Sequence, residues 1–324
     1  MKTSNSKPKA FALGKTRAAA LITAATLTLA LLFTACPNNA GGGTPPPENK
    51  TYTVGGVQFT MKGIAAVTNG TVGHTDNASD NEPHTVSLTA YRIGETEVTQ
   101  ELYQAVMSNK PSSFNGNPES GEEQAKRPVE RVSWYDCIAF CNKLSLKLGL
   151  TPCYTVTVSG SPIDFETLAY SDIPTSDSTD WNNTVLDMTK NGFRLPTEAE
   201  WEWAAKGGTN SKWPGTDTKT ELKNYAWYDE NSGMKTHEVK KKLPNGYGLY
   251  DMGGNIWEWC WDLFDEKDII KWLRPIRGGC YTLSSAGITI TSASRYFAIQ
   301  DDTCPINLFS PFDDSCGLRL VCTK

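Results

Sequence analysis

Nine cysteines, three histidines and two pairs of glycines are the residues of this 324-residue chain whose types and spacing could do chemistry. The histidines, His74, His84 and His237, have no spacing that would gather a metal site or an acid–base pair. No Cys-x-x-Cys zinc pattern occurs. Cys137 and Cys141 stand four apart where a helix is expected, close enough to pair and equally suited to lie as two buried thiols. Cys280 with Cys304 is a candidate thiol site whose geometry the sequence does not fix. The glycine pairs at 253–254 and 278–279 lack the following Lys-Ser/Thr of a phosphate cradle, so they read as tight turns passing close to Trp rings. Binding nucleic acid needs a basic stripe, and the one basic run, Lys240-Lys241-Lys242, reads as a solvated loop. Nucleic acid is therefore not an expected partner.

The elements that must position these residues are few. Ser133 and Asp136 form a capping pair at the start of a helix in which Ile138, Cys141, Leu144 and Leu148 recur at helical spacing as far as Gly149. A second helix starts at Thr197, with Glu200 at the reciprocal capping position, and stops at Gly207-Gly208. Trp201 and Ala204 face its core side, while Glu198, Glu200 and Glu202 suit the positive end of the helix dipole. A weaker helix follows Thr99, with Leu102, Tyr103, Val106 and Met107 on one side. Thr85 to Leu88, Tyr91 to Val98 and Leu318 to Cys322 read as strands, and the rest as short strands and long loops. The class is α+β, loop-rich.

The N-terminus reads as a leader. Lys2, Lys7, Lys9, Lys15 and Arg17 precede an apolar run from Ala18 to Phe33, too short for a membrane-spanning helix. Leu32-Phe33-Thr34-Ala35-Cys36 resembles a bacterial lipobox, in which the cysteine is lipidated and becomes the new N-terminus, although Phe33 and Thr34 depart from the strict pattern. Ordinary secretion with cleavage nearby is the alternative. Residues 1–35 are thus expected to be a lipoprotein signal peptide and 36–50 a Gly/Pro-rich tether from Cys36. Residues 51–324 then form a single domain, attached to the membrane by lipid at the cell envelope, on the outer-membrane surface. Removing five positive charges from the 31 Lys and Arg leaves 26 against 36 Asp and Glu, a formal net charge of −10.

Several segments together resemble one family. Gly192-Phe193-Arg194-Leu195-Pro196-Thr197-Glu198-Ala199-Glu200-Trp201-Glu202-Trp203 is similar to a signature of the formylglycine-generating enzyme/sulfatase-modifying factor family. So are Tyr247-Gly248-Leu249-Tyr250-Asp251-Met252-Gly253-Gly254-Asn255-Ile256-Trp257-Glu258-Trp259, Arg277-Gly278-Gly279 and Gly317-Leu318-Arg319-Leu320. The resemblance implies a C-type-lectin-like fold. Members that oxidise cysteine to formylglycine hold copper with two thiols after the Arg-Gly-Gly motif. Carried onto this chain, those positions are Leu283 and Ile288, which have no electron pair to donate, so neither copper nor oxidase activity is expected. The family's calcium loop maps to the side chains of Asp251 and Glu258 and the carbonyls of Gly254 and Ile256, a candidate Ca2+ site. The alternative is that Asp251 bonds turn amides and Glu258 a buried backbone donor.

The C-terminal segment differs from the rest. Residues 280–316 contain no Lys, Glu, Met or Trp, although those four types make up 56 of the 324 residues and about six belong there by proportion. Each of these types needs a codon ending in a purine, so the deficit follows if the segment's codons end in pyrimidines; Gln300 alone does not conform. This arrangement resembles the variable proteins of diversity-generating retroelements, which rewrite the last part of such a lectin-like fold. The resemblance implies a variable ligand-binding region at 277–322. Tyr281, Leu283, Ser285, Ile290, Tyr296, Phe297, Ile299, Asp302, Phe309, Phe312, Asp313 and Asp314 are its expected contacts, with Ile288, Leu308 and Cys316 the first to be discounted as core. Aromatic anchors with an acidic rim suit a protein or peptide ligand, such as a host or microbial surface molecule, and no catalysis.

Overall fold

Two glycines of positive φ, Gly55 (56°) and Gly56 (83°), make the two-residue turn that closes the first hairpin, a turn whose twist matches that of its strands. It joins β1 (Lys50–Val54) to β2 (Val57–Ile64), with Val54 opposite Val57 and Lys50 opposite Met61. The computed structural model describes residues 45–74, 81–264, 273–283, 295–298 and 315–323, the backbone alone over 295–298. The leader, Cys36 and most of the tether lie outside the described residues. Contacts group Gly41–Lys324 into one compact unit. The end of the tether belongs to that unit: Asn49 Oδ1 accepts from the Gly63 amide (3.0 Å), and Arg92 Nε donates to the Glu48 carbonyl (2.7 Å).

The chain continues through a hairpin of β3 (Val67–Val72) and β4 (His84–Leu88), then β5 (Tyr91–Gly94) and α1 (Gln100–Met107). Helix α2 (Trp134–Lys147) is followed by a small lobe containing β6 (Tyr154–Thr155), β7 (Thr157–Val158), β8 (Ser161–Pro162), α3 (Thr179–Asn182) and β9 (Val185–Leu186). Helix α4 (Glu198–Lys206) precedes β10 (Trp257–Trp259), β11 (Arg274–Arg277), β12 (Arg295–Ala298), β13 (Cys316–Gly317) and β14 (Val321–Cys322). Two four-stranded sheets result, in the orders β1-β2-β5-β14 and β12-β11-β10-β13. The first places the last strand beside β5, with Val321 opposite Ile93. In the second, β12 returns the variable segment to the frame, Tyr296 opposite Ile276 and Phe297 opposite Pro275.

All three expected helices form with the expected caps. Thr99 caps α1, and both capping boxes close, Ser133 with Asp136 and Thr197 with Glu200. Helix α2 is buried continuously from Trp134 to Asn142, not along one stripe, because the lobe covers its outer side. Asn142 ties the two together, donating to the Tyr154 carbonyl (2.8 Å) and accepting from its amide (3.2 Å). The strands are shorter than expected, β5 stopping at Gly94 and β14 starting at Val321. Between those strands the backbone is satisfied outside a regular ladder, the amides of Gly94 and Val98 donating to the carbonyls of Leu320 and Leu318. The seven described cysteines, Cys137 and Cys141 among them, are buried thiols, none in a disulfide.

Three fully buried arginines lock these layers together. Arg194 meets the Glu200 carboxylate with two donors (2.6 and 2.7 Å), Arg277 meets Glu202 (2.7 Å), and Arg319 meets Glu258 (2.7 Å). Arg319 also donates to the carbonyls of Gly94, Tyr250 and Asp251, and Glu258 accepts from the Trp201 indole (2.6 Å). One pair thus spans β5, β10, α4 and the 250–251 turn. Glu202 is therefore not a dipole residue as the sequence suggests: it is buried, bonding Asn81 and Arg277. Burial pushes its pKa up, but the Arg277 guanidinium and the hydrogen bonds it accepts hold it below the usual value. Removing one partner of such a pair strands the other charge in the core, so Arg319→Met should lower unfolding free energy by about 3–5 kcal/mol in urea titrations. The double substitution Arg319→Met with Glu258→Leu should recover at least half of that loss, since it removes the stranded carboxylate.

Candidate functional site

The start of the variable segment is set by glycine. Gly278 has φ +94°, and a Cβ there would sit 3.2 Å from the Trp201 ring, as the turn reading expects. At Gly254 the obstacle is instead the Trp227 carbonyl oxygen. The backbone then enters a set of hydrogen bonds supplied by residues outside the segment. The Tyr281 amide donates to the Asn255 carbonyl (3.0 Å), and its carbonyl accepts from the Ser232 hydroxyl (2.7 Å). The Leu283 carbonyl accepts from the Asp229 amide (3.2 Å). Asn255 is itself fixed: its side chain accepts from the His237 amide and donates to Glu97 and to the His237 carbonyl. All three bonds to the segment use its main chain, so they do not depend on which side chains stand at 281 and 283.

The described residues of this part of the chain end at Leu283, resume as Arg295–Ala298 in β12, and resume again at Ser315. Ser285, Ile288, Ile290, Ile299, Asp302, Cys304, Leu308, Phe309, Phe312, Asp313 and Asp314 lie outside the described residues. Tyr296 and Phe297 are placed by backbone only, on β12. One expected contact is corrected. Tyr281 is a core residue, 7% exposed, with its ring edge-on to Phe114 at 5.1 Å. Leu283 is only partly buried, packed against both the main core and the Trp213–Tyr228 cluster. Tyr281 follows directly after the buried Arg277-Gly278-Gly279 stretch. Cys316 is core, as expected, and Cys280 is fully buried with its sulfur 3.2 Å from the Thr282 hydroxyl.

The candidate calcium set is also corrected. A cation held by Asp251, Gly254, Ile256 and Glu258 needs the Glu258 carboxylate, and both of its oxygens already accept from Arg319 while one also takes the Trp201 indole. Its partner is a guanidinium, not the backbone donor considered from the sequence. Asp251 does bond a turn amide, that of Lys240 (2.8 Å), and burial pushes its pKa up to about 6. Burial, then the neighbouring Asp251 and Glu258, push Glu97 well above the usual carboxylate value. The Glu258 carboxylate is thus committed to Arg319 and Trp201 and does not fit a cation, and among the described residues no group of three or more His, Cys, Asp or Glu is arranged to hold a metal. In the lysine run, exposed Lys240 pairs with Glu95 (2.8 Å) and exposed Lys241 with Glu238 (3.2 Å), while the half-buried Lys242 lies over the Trp227 ring (3.5 Å).

The positioning residues Ser232 and Asp229 carry no signal in the sequence, whereas Asn255 lies inside a family motif. Comparison with known proteins agrees with this frame. A solved structure of Treponema denticola variable protein 1 superposes with a TM-score of 0.78 at 55% identity, over 86% of this chain and all of that one. The chaperone protein LppX of Paenibacillus barcinonensis is 38% identical over 235 residues, 66% of this chain and 77% of that protein. The formylglycine-generating enzyme of Thermomonospora curvata is 40% identical over 94 residues, so this chain spans only 31% of that enzyme. Relatives therefore include a variable protein and a chaperone as well as enzymes. The model of the sulfatase-modifying factor enzyme 1-like domain matches residues 48–323, nearly everything the fold contains, and the chain belongs to that family, with its C-type-lectin-like α+β fold.

Proposed function

We propose that this protein is a non-enzymatic binding protein of the cell surface, anchored by lipid at Cys36, whose 277–322 region is the diversified ligand face of a retroelement variable protein. One observation carries the reading: the compositional deficit of residues 280–316 falls between buried framework residues, Arg277 and Gly278 before it and Gly317 and Arg319 after it. A frame fixed at both ends by its own ion pairs can accept many side chains in between, because exposed substitutions usually change stability by less than about 0.5 kcal/mol. The 55% identity to a variable protein over that protein's whole length supports it. The ligand is a protein or peptide, bound by whichever residues of 284–294 and 299–314 reach the surface. Against catalysis, Leu283 offers no donor where the oxidases carry a copper thiol, and the Cys280 sulfur is sealed in the core.

Randomising residues 284–294 and 299–314 should leave more than half of the library folded, scored by protease resistance on a display surface; loss of folding in most members would overturn the reading. Incubation of the purified protein with Cu(I) and a cysteine-containing peptide should yield no aldehyde trapped by hydroxylamine. Stoichiometric copper binding with aldehyde formation would instead establish an altered thiol oxidase. In a bacterial host fed an alkyne fatty acid, the full chain should take up label that Cys36→Ser abolishes; equal labelling of both would place the attachment elsewhere.

A further inference from the structure

Both bonds that hold the Tyr281 backbone to the frame depend on one histidine. Asn255, whose carbonyl receives the Tyr281 amide, is fixed by His237 at both ends of its side chain: Oδ1 accepts from the His237 amide (2.9 Å) and Nδ2 donates to the His237 carbonyl (3.3 Å). Ser232, whose hydroxyl donates to the Tyr281 carbonyl, presents its own carbonyl oxygen 2.8 Å from His237 Nε2. The other ring nitrogen, Nδ1, lies 2.8 Å from Glu122 Oε1. A carbonyl oxygen and an ionised carboxylate only accept. Neutral imidazole donates from one nitrogen and turns a lone pair outward at the other, so it bonds one of these oxygens and repels the second. Imidazolium, with a donor on each nitrogen, bonds both. His237 is 3% exposed and stacked on Trp227, ring centroids 3.7 Å apart, so its ring is not free to turn toward water instead.

We propose that His237 stands as an imidazolium and is a pH-sensitive latch on the Tyr281 backbone. When one proton leaves, the other stays with the Glu122 carboxylate, the stronger acceptor, and a lone pair then faces the Ser232 carbonyl. Ser232 is pushed away, and its hydroxyl loosens from Tyr281. The latch is closed in acid and opens as pH rises through the range in which histidine gives up its charge. Glu122 Oε2 also accepts from the Glu238 amide (3.2 Å), and the Glu238 carboxylate takes the Glu123 amide (2.7 Å) and Lys241 (3.2 Å). Arg127 donates to the Thr236 carbonyl (2.6 Å), Lys242 lies over the Trp227 ring (3.5 Å), Lys235 pairs with Glu119 (2.7 Å), and Glu97 is reached through Asn255 (3.0 Å). Among these charged groups Glu122 is the one hydrogen-bonded to the ring, which completes an imidazolium–carboxylate pair. The latch belongs to the frame and stands whether or not the segment binds a ligand.

The test is amide hydrogen exchange of the full chain between pH 5 and pH 9, corrected for the intrinsic pH dependence of exchange. Protection of the peptide carrying Tyr281 should fall about fivefold or more across that range. His237→Gln, whose side chain does not titrate, should remove the change, whereas a pH dependence that persists would belong to Glu97 and overturn the latch. Should His237→Gln fail to fold, Glu122→Gln decides: without the carboxylate the imidazolium is less favoured, so the loss of protection should move to lower pH. An unmoved transition would overturn the proposal, as would constant protection in the unmodified protein. A nitrogen-15 spectrum at pH 5 should show both His237 ring nitrogens protonated; one bare nitrogen there would mean that Glu122 holds the proton, and no latch exists.

Discussion

Closed off from water, the Arg319 guanidinium is met by the Glu258 carboxylate and the carbonyls of Gly94, Tyr250 and Asp251. Those partners come from both sheets and from the turn between α4 and β10, so the layers have one relative position in which the charge is satisfied. Such a pair adds little stability over well-packed apolar side chains; its force lies in what every alternative arrangement would cost. Arg277 with Glu202 and Arg194 with Glu200 impose the same condition on β11 and on the start of α4. The residues that flank the variable segment are thus held by electrostatics that the segment itself does not supply.

The family that shares this frame includes a variable protein and a chaperone as well as enzymes. Immediately after the Arg-Gly-Gly turn the chain packs inward: Tyr281 fills the core against Phe114, and the partly buried Leu283 bridges two apolar clusters. The first residues of the segment have become part of the scaffold. Their main chain is held by Asn255, Ser232 and Asp229, while their side chains pack, which sets a firm starting point for everything that follows. Further along, β12 is paired with β11.

Capping boxes, helix ends and the framework motifs were readable directly from residues 133–136, 197–208, 247–259, 277–279 and 317–320, because each depends on neighbours close along the chain. The strands β1 and β2 went unread, although the Gly55-Gly56 turn between alternating residues marks them, and β5 and β14 were overextended. Where a backbone amide bonds outside a ladder, as at Val98 with Leu318, local sequence carries no trace of it.

By itself the sequence determined the family and the helix boundaries, since these are properties of residue type and order. Only the tertiary structure decided that Glu258 answers Arg319 and not a cation, that Glu202 is a buried ion-pair partner, and that Tyr281 belongs to the core. The physical reason is the same in each case: whether a carboxylate or an aromatic ring meets water, a metal or a neighbour is fixed by what lies across the core, as with Glu258 and Arg319, brought within 2.7 Å across 61 residues of sequence.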